Sequence, residues 1–220
     1  MERASVRWLV VAAGAMAVSG AMVFSALATA APLRGGKLTE QDLRTCMGLE
    51  GADAAVQVEV CTRILKSGRV RHPHQSDYMA WRAAAYLAQG KTAPALADLD
   101  KALTLQDKPA YRFQRALVLM ARASRDEAVK ELDAVMKATP DYAPAWFMRG
   151  AIAYRRADYP AAVTYFDGAA TRLPTYYQAI HARGLARLKA GEEEAGRKDI
   201  EAAAGMSSRV AQDVAALGIK

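Results

Sequence analysis

No stretch of the chain alternates apolar and polar residues for long, so no β-strand is expected. Apolar and small residues recur instead with a long period. The clearest unit runs from Ala143 to Tyr176 and carries Trp146, Gly150, Ala162, Phe166, Ala169 and Pro174. A shift of 34 residues forward places Gly184 under Gly150, Ile200 under Phe166 and Ala203 under Ala169. The same shift backward brings Ala116, Ala128, Leu132 and Pro140 onto Gly150, Ala162, Phe166 and Pro174. One step earlier the spacing shortens by a residue, and the unit offers Ala83, Gly90, Ala95, Leu99 and Ala102. Four copies are therefore expected, each too long for one helix and the right length for two.

The recurring positions have a physical reading. Ala83, Ala116, Gly150 and Gly184 fall mid-way along a first helix, where a small side chain lets a second helix approach closely. Ala95, Ala128 and Ala162 fall near the start of that second helix, and Leu99, Leu132, Phe166 and Ile200 fill the space one turn later. Gly90, Gly191, Pro140 and Pro174 punctuate the turns. Pro94 and Pro160 sit in the first turn of a second helix, where a missing N–H costs nothing.

Before Ser76 a weaker pair is predicted. Thr39 with Asp42 forms an acidic capping box opening a helix through Cys46, Gly51 breaks it, and a second helix runs from Asp53 to Lys66. Ala54, Val58 and Cys61 share one face of that helix, so Cys46 is expected to face Cys61 across the pair. After the last copy, Ser207 or Ser208 starts a final helix through Leu217. It would turn Val210, Val214 and Leu217 inward and leave Gln212 and Asp213 outside. Polar-backed caps of this kind keep repeat arrays soluble.

A unit with Trp146, Gly150, Ala162, Phe166, Ala169 and Pro174 in this order resembles the tetratricopeptide repeat family, over roughly Ser76 to Ala204. The departures are Met79 and Arg112 for the early tryptophan, Gly196 for an alanine, and Asp107 for a terminal proline. The resemblance implies an all-α, right-handed α-solenoid of antiparallel helix pairs whose first helices line a concave groove. It also implies where a partner would sit: against Trp81 in one unit, and against Phe113, Gln114, Leu117 and Met120 in the next. Phe147, Met148, Tyr154 and Arg155 follow in the third, and His181, Leu185 and Lys189 in the last. Such a set, richer in aromatic residues and methionine than in charge, suits an apolar peptide or amphipathic helix, with Arg155 and Lys189 reading carboxylates at the edges. The alternative is that several of these residues, Trp81 and Phe113 foremost, simply pack between helices. Ala84, Leu117 and Ala151 stand where relatives that clamp a chaperone's terminal carboxylate place asparagines, so that role is not expected.

The N-terminus changes the setting. Arg3 and Arg7 precede an apolar run from Trp8 to Leu27, followed by Ala28-Thr29-Ala30-Ala31, the form of a secretory signal. Cleavage after Ala30 fits the A-x-A rule. An uncleaved membrane anchor is the alternative, because about 20 apolar residues suffice to span a bilayer. The expected organisation is thus a signal segment over 1–30, a stapled helix pair over 31–75, four repeats over 76–204 and a capping helix over 205–220. An exported, periplasmic location would favour a disulfide between the two cysteines, Cys46 and Cys61.

Charge and chemistry add little. Loss of Glu2, Arg3 and Arg7 with the leader would lower the net charge from +7 to +6. The basic residues are scattered, with one local cluster at Arg69-Val70-Arg71, His72 and His74. A solvated surface is expected there rather than a nucleic-acid site. His72 and His74 could touch a metal, but no third ligand is near in sequence, and a solvated loop is the expectation. Nucleophile–base–acid sets, phosphate loops and dinucleotide fingerprints are missing from the sequence. The expectation is therefore a non-enzymatic interaction scaffold without cofactor, binding a protein or peptide. Two rivals remain: a self-associating structural protein, and an envelope enzyme or metal-binding protein.

Overall fold

The computed structural model describes residues 38–49, 51–71 and 74–220, and every regular element among them is helical. The signal-like segment and His72 lie outside the described residues. Among those described, no helix is long and apolar enough to cross a membrane. The helices fall into two compact units that divide between Ser124 and Arg125.

The first unit contains α1 (Glu40–Cys46), α2 (Ala54–Lys66), α3 (Gln75–Ala88), α4 (Thr92–Leu105) and α5 (Pro109–Ala121). Helix α1 is only seven residues long, and free helices of that length are unstable in water. Two devices hold it. The Asp42 N–H donates to Thr39 Oγ1 and the Thr39 N–H donates back to the Asp42 carboxylate, at 3.1 and 2.8 Å. That Thr39 N–H holds the Asp42 carboxyl below its usual range. At the other end a Cys46–Cys61 disulfide ties α1 to α2 across a Cα–Cα distance of 5.0 Å. Both cysteines are fully buried and share a core with Val60, Ile64, Val70 and Tyr78. Trp81 leans on this core, edge-on to Tyr78 at 5.0 Å between ring centres.

The second unit contains α6 (Arg125–Ala138), α7 (Ala143–Arg155), α8 (Tyr159–Arg172), α9 (Tyr177–Ala190), α10 (Glu193–Met206) and α11 (Val210–Ala216). Its core is aromatic at the centre. Phe147 lies 5.5 Å from Phe166 and 5.1 Å from Tyr176, and both phenylalanines are fully buried. Burial raises the Tyr176 hydroxyl pKa well above the usual value and pushes that of Tyr142 up to about 12. Trp146 seals the outer edge, donating from Nε1 to the Pro140 carbonyl at 2.9 Å while the Arg172 guanidinium lies 3.7 Å from a ring centre.

Small residues mark the crossings in both units. Ala83 and Ala95 are fully buried in the α3–α4 pair, as are Ala162 and Phe166 in α8 opposite Gly150 of α7. The α9–α10 pair goes further. A Cβ on Gly184 would fall 2.7 Å from the Gly196 carbonyl oxygen, and one on Gly196 would fall 2.8 Å from that of Gly184. Gly196, the position where an alanine is the rule, thus lets two backbones touch. The turn after each first helix also repeats: Gly90 after α3, Ala123 after α5, Ala157 after α7 and Gly191 after α9 all adopt left-handed backbone, with φ of 73, 61, 60 and 88°.

Candidate partner-binding surface

The first helices of the pairs, α3 and α5 in one unit and α7 and α9 in the other, carry the residues that the sequence assigns to a partner. Their placement separates them into three groups. Phe113, Leu117, Phe147 and Met148 are buried among neighbouring helices. They fill the core and leave almost no surface for a partner, the packing alternative to lining a groove. Trp81, Gln114, Met120 and Leu185 are half-buried, and Arg155 and Lys189 are exposed. These six retain surface that another molecule can cover.

Tyr154 and His181 form the third group. Tyr154 is 7% exposed, yet it is not sequestered by the helix pairs alone. Its hydroxyl donates to the main-chain oxygen of Lys220, 66 residues away in sequence. Neighbouring Arg155 lies against Gly218, its guanidinium Nε 3.7 Å from where a Gly218 Cβ would stand. His181 is buried, which lowers its pKa and favours neutral imidazole. Its Nδ1 finds no hydrogen-bond partner among the described residues.

A set that sequence inspection passed over lies beside these positions. Arg82, Arg115, Arg149 and Arg183 each precede the small crossing residue, at the same 33- or 34-residue spacing. Arg82 grips Asp98 of its own pair through two bonds of 2.7 Å. Arg115 reaches back to Asp100 at 2.8 Å, and Arg149 reaches back to Asp133 at 3.0 Å. Arg183 does both, bonding Asp167 behind it at 2.6 Å and Asp199 ahead at 2.6 and 2.8 Å. Asp98 and Asp199 are buried, so each needs its guanidinium. The signal was present in the sequence, because Asp100, Asp133 and Asp167 keep the repeat spacing too. These pairs fix the register of successive helices and leave the arginine heads neutralised rather than free for a ligand.

Among the described residues, no group of three or more His, Cys, Asp or Glu side chains gathers as a metal site.

No family model matches the chain. It is 27% identical over 184 residues to DnaJ homolog subfamily C member 3 of Gallus gallus, covering 71% of this chain and 37% of that protein. Protein FlbA of Caulobacter vibrioides is 35% identical over 77 residues, covering 35% of this chain and 13% of FlbA. The chain therefore spans well under half the length of these relatives. Among solved structures, MamA superposes with a TM-score of 0.65 at 16% identity, covering 80% of this chain and 99% of that one. A tetratricopeptide repeat protein from Parabacteroides merdae gives a TM-score of 0.65 at 15% identity, covering 81% and 71%. The repeated residues, the paired helices built on them and these structural neighbours identify the chain as a protein of the tetratricopeptide repeat fold.

Proposed function

We propose that this chain is an exported interaction scaffold whose first helices hold a peptide or amphipathic helix of a protein partner. The observation that carries this reading is the partial exposure, on those helices, of large adaptable side chains. Trp81 and Met120 belong to the first unit, and Leu185, Arg155 and Lys189 belong to the second. Such groups bury large area and conform to varied shapes. Helix-in-groove recognition uses apolar anchors of this kind. Export is supported by the signal-like segment and by the buried Cys46–Cys61 bridge, since structural disulfides persist in oxidising compartments.

Affinity capture from envelope extract tests the surface, comparing the native chain with a triple variant Trp81→Ala, Met120→Ala, Leu185→Ala. Captured proteins should fall at least about ten-fold in the variant while its helical content holds, the expected effect of losing more than one anchor. Full retention of the same proteins would place binding elsewhere.

A further inference from the structure

Helix α11 does not behave as a simple end cap. It packs more extensively on α9, a first helix, than on α10, the helix it follows. Gly218 then ends it in a left-handed turn, φ 77°, and sends the chain back toward α7. There Ile219 is fully buried and Lys220 accepts the Tyr154 hydroxyl. Residues 210–220 thus run from α9 to α7, across the two first helices of this unit, and cover Tyr154. Their buried side chains are Val210, Val214, Leu217 and Ile219. Along the helix this is an i, i+4, i+7 stripe of aliphatic groups, the pattern of an amphipathic helix laid in a groove.

The hold is light. Helix α11 has seven residues and no side-chain cap at its start. Helices so short are marginal without their packing. Among the described residues, no ion pair ties 207–220 to the rest of the unit. Among the described residues, the four buried aliphatic side chains, the Tyr154 hydrogen bond and the Arg155–Gly218 contact hold the segment in place.

We propose that residues 207–220 are a built-in, displaceable occupant of the α7–α9 face. The competitor they shelter it from is an amphipathic helix with aliphatic residues at i, i+4 and i+7. This rests on the scaffold reading for the choice of face and names the chemistry of the partner. Closure of the tail lowers apparent affinity by the fraction of molecules in which it is open.

A synthetic fluorescein-labelled peptide of residues 207–220 serves as the probe, titrated by fluorescence anisotropy against the full chain and against the full chain carrying Val214→Asp and Leu217→Asp. The peptide should bind the variant about ten-fold or more tightly than the native chain. Equal affinity would overturn the proposal, as would no binding to a variant that keeps its helical spectrum. Should the variant fail to fold, hydrogen exchange of the native chain decides. Amides of 210–218 exchanging about ten-fold or more faster than those of α9 support a tail that opens by itself, and matched rates make it a permanent part of the core. Because the probe is this chain's own segment, its result stands apart from partner capture. Peptide binding with no captured protein would sink the scaffold reading alone.

Discussion

Alanine is an unexpected choice at 123 and 157. The turn after each first helix takes left-handed backbone, which costs an L-residue roughly 1–2 kcal/mol. Glycine meets that need at 90 and 191, but Ala123 and Ala157 hold φ of 61 and 60° in the equivalent places. A Cβ at Gly90 or Gly191 would meet nothing within 4 Å, so the difference lies in the backbone and not in crowding. Glycine would relieve the strain while adding roughly 0.4–1 kcal/mol of unfolded-state entropy to be lost on folding. Ala157→Gly should therefore raise stability by about 0.5–1 kcal/mol, read as a rise in thermal midpoint, and Gly191→Ala should lower it by a similar amount. A destabilised Ala157→Gly protein would mean that the turn relaxes in solution.

At the scale of the helix, the sequence was informative about equivalence and silent about rotation. A 34-residue period tells which residues of different copies share an environment, and the small residues at 83, 116, 150 and 184 locate the crossing. It does not tell how far the first helix is turned between its partner and the helices before and after it. Phe147 and Met148, three and two residues before Gly150, turn into the core, whereas Leu185, one residue after Gly184, stays half exposed. The arginine ladder was legible but overlooked, since its members read singly as surface charge. Tyr154 meeting Lys220 was not legible, because a contact across 66 residues leaves no local pattern. Phe147 and Leu185 should consequently part company under mutation. Phe147→Ala deletes a fully buried ring touching Phe166 and Tyr176 and should cost roughly 3–5 kcal/mol in denaturant unfolding. Leu185→Ala gives up a half-exposed side chain and should cost about 1 kcal/mol, well below the range for a fully buried leucine. Equal losses would put Leu185 in the core and remove it from the partner surface.

Over the whole molecule, stability should be distributed rather than shared. In a repeat array each pair contacts only its neighbours, so a local loss need not spread. The end of the first unit is where this has most consequence. Helix α1 owes its place to the Thr39–Asp42 cap, the Cys46–Cys61 bridge and a small core under Trp81. Closing a loop of 15 residues is worth about 3 kcal/mol on the chain-entropy model. Replacing both cysteines by alanine should remove most of that from the first pair, equivalent to about a hundred-fold loss of amide protection in α1 and α2. Helices α7 to α9 should keep the exchange rates of the native chain, because Phe147, Phe166 and Tyr176 pack without reference to the bridge. Hydrogen exchange resolved along the sequence reads both predictions in one experiment. If α7 to α9 lose protection as steeply as α1, the chain unfolds as one cooperative body and the neighbour-only account of its stability fails.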